Sequence, residues 1–193
     1  MPHERRFNAA MAGKLEDPER LHWLPPAEVI AALAMQPGQA IVDIGAGTGY
    51  FALPLAKAVG SSGKIYAVDA QREMLSILAG KLPNAALATI SLICAEAEST
   101  GLPQGCCDLV FMANVWHEFD DRAAVVAEAM RLLRRGGRVG VLDWRPDVEP
   151  DNGPPLDHRL SPDDAMATLR AAGVTQLNSM NVGKYAWLVT GIS

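Results

Sequence analysis

The chain has 193 residues, 49% hydrophobic and 20% charged, with a formal net charge of −5. That length holds one domain with a sizeable core, and the composition is that of an ordinary soluble globular protein. No apolar run approaches the roughly 20 residues needed to span a bilayer, and the acidic balance disfavours nucleic acid as a partner.

Residues 1–6, Met-Pro-His-Glu-Arg-Arg, lack the apolar centre of a signal peptide, so a cytoplasmic protein is expected. Residues 3–24 form an arm ahead of the core, with Phe7, Met11, Leu15, Leu21, Trp23 and Leu24 as its apolar positions. Within it Asp17 is placed to cap a helix and Pro18 to occupy its first position. Pro25-Pro26 introduces a second helix over residues 27–35, and Pro37-Gly38 ends it.

Residues 40–44, Ala-Ile-Val-Asp-Ile, read as a short buried parallel strand. Gly45, Gly47 and Gly49 follow, permitting positive φ and close approach of a ligand to the backbone. Phe51, Leu53, Leu55, Ala56 and Val59 then have the spacing of a helix facing a sheet, with Pro54 in the first turn. Strand, glycine turn and helix are the first half of a nucleotide-binding βαβ unit.

A dinucleotide fold wants G-x-G-x-x-G. Here the spacing is G-x-G-x-G, and Tyr50 stands where the third glycine should fall. Asp43 just before the turn would repel a pyrophosphate but attract a cationic ligand end. A second acid, Asp69, ends the next strand-like run, 64–69, at the place for a ribose-binding carboxylate. An adenosine with a cationic tail and no phosphate is S-adenosyl-L-methionine.

Further along, a helix over 71–82 presents Met74, Leu75, Leu78 and Leu82, and Pro83-Asn84 breaks it. A third strand covers 87–94 and a fourth runs from Asp108 to Ala113 or Asn114. Beyond it lies Val115-Trp116-His117-Glu118-Phe119, at the strand edge where ligands gather in open α/β sheets. Asp120-Asp121 cap a helix carrying Val125, Val126, Met130 and Leu133 inward, which Gly136-Gly137 close. The cluster Arg131, Arg134 and Arg135 falls at this helix's C-terminal end, where cations suit the dipole. A fifth strand covers 138–143, followed by Trp144. Residues 145–160 read as a long loop with His158 and Arg159 as candidate contacts. Ser161-Pro162-Asp163-Asp164 starts another helix, ending near Gly173. Residues 174–180 and 185–190 alternate like strands, joined too tightly for a crossover, and so form an antiparallel hairpin.

The run Val42-Asp43-Ile44-Gly45-Ala46-Gly47-Thr48-Gly49 resembles the first motif of class I S-adenosylmethionine-dependent methyltransferases. Ala67-Val68-Asp69 resembles the acidic second motif, Ala97-Glu98 through Leu102-Pro103 the adenine-side third, Asp108 to Asn114 the fourth strand, and Leu132 to Val139 the turn before strand five. The chain is similar to small type 11 methyltransferases of the quinone-biosynthesis C-methyltransferase and arsenite-methyltransferase kind. The resemblance implies an α/β, Rossmann-like, doubly wound, mostly parallel seven-stranded sheet with an antiparallel C-terminal hairpin. It implies one methyltransferase domain over 1–193, with 1–36 covering the site and 37–193 forming the core.

The resemblance also implies S-adenosyl-L-methionine as cofactor and S-adenosyl-L-homocysteine as product. The cofactor contacts fall on Asp43, Gly45, Ala46, Gly47, Gly49, Tyr50, Asp69, Ala70, Met74, Ala97, Glu98 and Asn114, with Glu96 an alternative to Glu98. The candidate catalytic residues are His117, Glu118 and Asp143: His117 as base, Glu118 orienting it or acting itself, Asp143 and Trp144 forming the opposite wall. The Asp/Asn-Pro-Pro-aromatic motif of DNA and amide N-methyltransferases is replaced by Asn114-Val115-Trp116-His117. A small or medium acceptor is therefore expected, in a pocket covered by the arm and the 145–160 loop: a quinone precursor, thiol, metalloid or other metabolite. Cys94, Cys106 and Cys107 fit no zinc spacing, and no metal is expected. Exposed apolar residues of the arm are available to a homodimer. An NAD-type oxidoreductase and a non-catalytic cofactor-binding protein stay open as alternatives.

Overall fold

The structure, a computed structural model, describes residues 7–82, 89–149 and 153–193. The helix break at Pro83-Asn84, the start of the third strand, Pro150 and the first residues of the arm lie outside the described residues.

Seven strands form one sheet: β1 (Ala40–Ile44), β2 (Lys64–Asp69), β3 (Ile90–Cys94), β4 (Cys107–Ala113), β5 (Leu133–Trp144), β6 (Thr175–Val182) and β7 (Ala186–Ile192), in the order β3-β2-β1-β4-β5-β7-β6. β1 to β5 pair in parallel. β7 runs antiparallel to both β5 and β6. The sheet order reverses between β1 and β4, and there the carboxyl ends of two strands open a crevice.

Both faces of the sheet are covered, which is why its central strands read as apolar runs rather than alternating ones. On one face Val42, Ile44, Val110, Met112 and Val141 pack with α5 (Arg122–Leu132) and α6 (Pro162–Ala171). On the other, Ile41, Leu109, Phe111 and Leu142 pack with α2 (Pro26–Leu33), α3 (Ala52–Val59) and Leu78 of α4 (Arg72–Lys81). Leu55 and Val59 of α3 are wholly buried, each such side chain contributing about 1.5–3 kcal/mol. The period of two thus sends the buried apolar side chains of β1, β4 and β5 alternately to one core or the other.

Several boundaries differ from the sequence reading. α5 ends at Leu132, not at Gly136-Gly137. Leu133 turns extended, is buried, and pairs with Cys107 of β4 before the register shifts and resumes at Arg138 opposite Leu109. Burial of Leu133 therefore decides the helix end, and the glycines fall in the irregular start of β5. α2 stops at Leu33, with Ala34 left-handed (φ 47°) and the Arg138 guanidinium donating to its carbonyl at 2.8 Å. The hairpin turn is residues 183–185, since Val182 is buried and pairs with Ala186. Ser161 and Asp164 form the reciprocal cap expected at the start of α6.

The arm is a 3₁₀ segment (Ala9–Glu16) followed by one short helix, α1 (Arg20–Trp23). Asp17 accepts the Glu19 N–H at 2.9 Å, so the helix proper begins three residues after its capping acid.

Candidate active site

A cavity of about 320 Å³ lies over the carboxyl ends of β1, β2 and β4. Its floor is the glycine turn. Gly45 (φ 73°) has no room for a Cβ, which would sit 2.8 Å from Val115 Cγ2. The chain after β4 therefore packs directly on the turn. Around Gly47 (φ 53°) an added Cβ would meet nothing closer than 3.9 Å, so its backbone faces open space. Gly49 is different from the sequence expectation. It does not border the cavity; its Cβ would fall 2.3 Å from Leu78 Cδ1, so its task is to let α4 approach.

Two acids flank the turn. Asp69 accepts the N–H of Gly47 and of Gln71, each at 2.8 Å, and so ties the turn to the start of α4. Asp43 is 1% exposed, and its Oδ2 has no hydrogen-bond partner among the described residues. Burial, and then the charge of Asp69, push its pKa up to about 8. Across the turn Asn114 sits at φ 55° after β4, with both amide atoms buried and unpartnered. Unpaired buried polar groups are costly unless a ligand completes them. Asp43 asks for a cation or donor and Asn114 offers both a donor and an acceptor. That fits the amino-acid end of S-adenosylmethionine, whose ammonium would favour the ionised form of Asp43.

Ala70, Met74, Ala97 and Glu98 also border the cavity, and Glu96 does so as well. Ala46 and Tyr50 also line the cavity. Tyr50 donates its hydroxyl to the Leu24 carbonyl at 2.6 Å, joining the first turn of the core to the arm.

The three candidate catalytic residues are brought together but only one faces the cavity. His117 and Glu118 lie on a 3₁₀ turn (Trp116–Glu118) after β4. The His117 backbone N–H donates to Asp143 Oδ2 at 2.8 Å, and ring Nδ1 lies 2.9 Å from Oδ1. Ring Nε2 is 3.9 Å from Glu118 Oε1. His117 is 6% exposed and lies behind the wall. Burial presses its pKa down, but the charge and hydrogen bond of Asp143 outweigh it and leave the pKa raised. Glu118 lines the cavity. Burial pushes its pKa up to about 7, against the opposing charge of His117 and a bond from the Phe7 N–H.

The expected opposite wall is not there. Asp143 is buried against His117, and Trp144 stacks on Trp23 with centroids 5.2 Å apart. None of the described residues of the 145–160 loop lines the cavity. Arg159, a candidate contact in the sequence, instead donates to the carbonyls of Pro154, Val148 and Arg145 and pins the loop to itself. Among the described residues the covering wall comes from the arm, through Phe7, Leu15 and Arg20. No local sequence pattern marks these three, because their partners lie far along the chain: Phe7 N–H reaches Glu118, and Gln71 Nε2 donates to the Phe7 carbonyl at 2.9 Å.

The family described as a methyltransferase domain matches residues 42–141. The ubiquinone/menaquinone biosynthesis C-methyltransferase UbiE of Cupriavidus metallidurans is 32% identical over 130 residues, 65% of this chain and 53% of that protein. Its counterpart in Burkholderia thailandensis is 33% identical over 130 residues, 67% of this chain and again 53% of the relative. The chain thus spans about half the length of the curated relatives it matches. Among solved structures, a SAM-dependent methyltransferase from Aquifex aeolicus superposes with a TM-score of 0.90 at 29% identity, over 97% of this chain and 99% of that one. An arsenic(III) S-adenosylmethionine methyltransferase from Chlamydomonas reinhardtii, at 22% identity, shares the fold with a TM-score of 0.62 over 87% of this chain and 73% of its own. The glycine turn with its two acids, the sheet order and these likenesses agree: the chain belongs to the methyltransferase-domain family, a class of enzymes whose cofactor is S-adenosyl-L-methionine.

Proposed function

We propose that this chain methylates a small molecule, leaving S-adenosyl-L-homocysteine as product. The observation that carries the reading is the unpartnered pair Asp43 and Asn114 beside an open glycine turn. When bound, S-adenosylmethionine supplies a methyl group already activated on a sulfonium, which an acceptor takes by in-line displacement.

The protein's share is alignment, exclusion of water and proton handling. Asp69 holds the ribose hydroxyls; its two backbone bonds fix its carboxylate and, with it, the turn. Asp43 and Asn114 hold the amino-acid end, and Gly45, Ala46 and Gly47 let the ligand lie against backbone. Tyr50 braces the arm against this end. Ala70, Met74, Ala97 and Glu98 form the adenine slot. Where the attacking atom of the acceptor carries a proton, Glu118 receives it, since Glu118 borders the cavity with a pKa near neutrality. His117 and Asp143 act behind it: Asp143 keeps the imidazole in place, and the imidazole tunes Glu118.

Residues 1–36 serve as cover and 37–193 as the cofactor-binding core of one domain. A cover of this kind favours a small acceptor over a macromolecule, in the cytoplasm, without nucleic acid or membrane as partner. The relatives are consistent in scale: one group is named for C-methylation in ubiquinone/menaquinone biosynthesis, and a structural neighbour is named an arsenic(III) methyltransferase. Met11 and Leu21 stay exposed on the arm, the surface a homodimer would use. The test is incubation with methyl-labelled cofactor and fractionated metabolites, following the label by mass. Label entering a small molecule supports the reading. Tight cofactor binding with label entering no fraction would count for the non-catalytic alternative.

A further inference from the structure

We infer that Arg20, on the covering arm, is the anchor for the α-carboxylate of the donor. This rests on the donor reading above and adds a residue to it.

Arg20 is 6% exposed and borders the cavity. Its guanidinium lies 3.9 Å from the centroid of the Tyr50 ring and 5.9 Å from that of Trp23. Among the described residues one side-chain hydrogen bond holds it, a long one of 3.4 Å from Nη1 to the Leu15 carbonyl. Its Nε is buried without a partner, and no carboxylate among the described residues lies within ion-pair distance of it. Glu16 of the arm, whose charge reaches Arg20, is engaged by Lys81 at 2.8 Å. Burial accordingly pulls the Arg20 pKa down to about 10.

A buried guanidinium left in this state costs several kcal/mol, and aromatic contacts recover only part of that. What is missing is an anion with two coplanar acceptors, the geometry of a carboxylate. The location selects which one. Tyr50 lies between the glycine turn and α3 and borders the same cavity as Asp43 and Asn114, which stand at and just after the carboxyl ends of the adjacent strands β1 and β4. The cavity thus holds one buried base, one buried acid and one amide, all incompletely satisfied. They match a zwitterion: carboxylate to Arg20, ammonium to Asp43 and Asn114. Because Arg20 belongs to the arm, the carboxylate also draws the cover shut.

Isothermal titration with two probes decides it: S-adenosylhomocysteine, and its decarboxylated analogue, which keeps the amine. Wild type is expected to prefer the former by about 10- to 100-fold, the size of a charge-assisted bond in a desolvated site. In Arg20→Met that preference is expected to vanish, while affinity for the decarboxylated analogue stays within about two-fold, which also reports an intact site. Arg20→Lys, keeping charge without the fork, should fall between. If Arg20→Met retains the preference, or weakens both probes alike, the assignment is overturned, and an acidic acceptor becomes the source of the missing anion. Absence of preference in wild type overturns it as well, yet leaves the donor reading standing. Failure of wild type to bind either probe removes both.

Discussion

Glu118 accepts the backbone N–H of Phe7 at 3.1 Å across a sequence separation of 111 residues. The acid that faces the cavity is therefore also a fastening of the cover. Opening of the arm strips a donor from Glu118 and exposes it to water; closing surrounds it with protein. Burial is the largest influence on its pKa, and the Phe7 bond works the other way.

Activity should follow ionisation of Glu118. A general base works deprotonated, so the rate should climb as pH rises through about 7, where burial has moved this carboxyl. Glu118→Gln should lower turnover by about 10²- to 10⁴-fold and flatten that limb of the profile. His117→Ala should slow turnover less and shift the limb toward higher pH, because the opposing charge of His117 that holds the Glu118 pKa down is removed, without loosening S-adenosylhomocysteine. A Glu118→Gln enzyme with wild-type rates at every pH would remove Glu118 from the chemistry.

Asp69→Ala should weaken S-adenosylhomocysteine by about 10- to 100-fold, the loss of charge-assisted bonds to the ribose. Circular dichroism should show the fold retained, because Asp69 ties N–H groups of the turn and of the start of α4, Gly47 and Gln71, and lies outside both apolar cores. Unchanged affinity in titration would dismiss the ribose assignment.

The two glycines Gly47 and Gly49 should fail in different ways. Gly49→Ala drives a methyl to 2.3 Å from Leu78 Cδ1 at φ 89°. Overpacking and a left-handed side chain together should cost about 2–5 kcal/mol, read as a fall in Tm. Gly47→Ala meets open space at φ 53°, so its stability loss should stay near about 1 kcal/mol. Its methyl instead occupies ligand volume, and titration should show cofactor binding lost. Equal Tm losses in the two variants would contradict this division.

Most of the fold was written locally. The 40–49 strand and turn, the Ser161–Asp164 cap and the tight C-terminal hairpin each depend on neighbours in sequence, so pattern reading reached them. The end of α5 did not, because Gly136-Gly137 imitate a helix stop while the deciding event is Leu133 burying itself beside Cys107, 26 residues earlier. The same limit governs the site. Sequence could bring His117 and Glu118 to the strand edge, but not say which side of a three-residue 3₁₀ turn faces the ligand. Asp143, holding His117 by backbone and ring, turns the imidazole inward and leaves Glu118 outward. Arg20 lay unmarked because its meaning comes from Tyr50, thirty positions on in the sequence and 3.9 Å away in space.

Proton counting offers a test that needs no acceptor. Asp43 has a pKa raised from the ordinary carboxyl value of 3.8 to about 8, by burial and by Asp69. A raised carboxyl contributes stability in full below its unfolded pKa, and that contribution is lost as pH climbs through the folded one. Glu118, raised from 4.5 to about 7, acts in the same direction. The free protein should accordingly have a higher Tm at pH 6 than at pH 8.5. A cationic ligand end beside Asp43 favours its ionised form and reverses the shift. Binding S-adenosylmethionine at pH 7 should then release up to about one proton, seen as a dependence of the titration heat on buffer ionisation enthalpy. Asp43→Asn should abolish most of that release and leave the free protein less sensitive to alkaline pH. Heats identical in every buffer would mean that Asp43 does not meet the positive end of the donor.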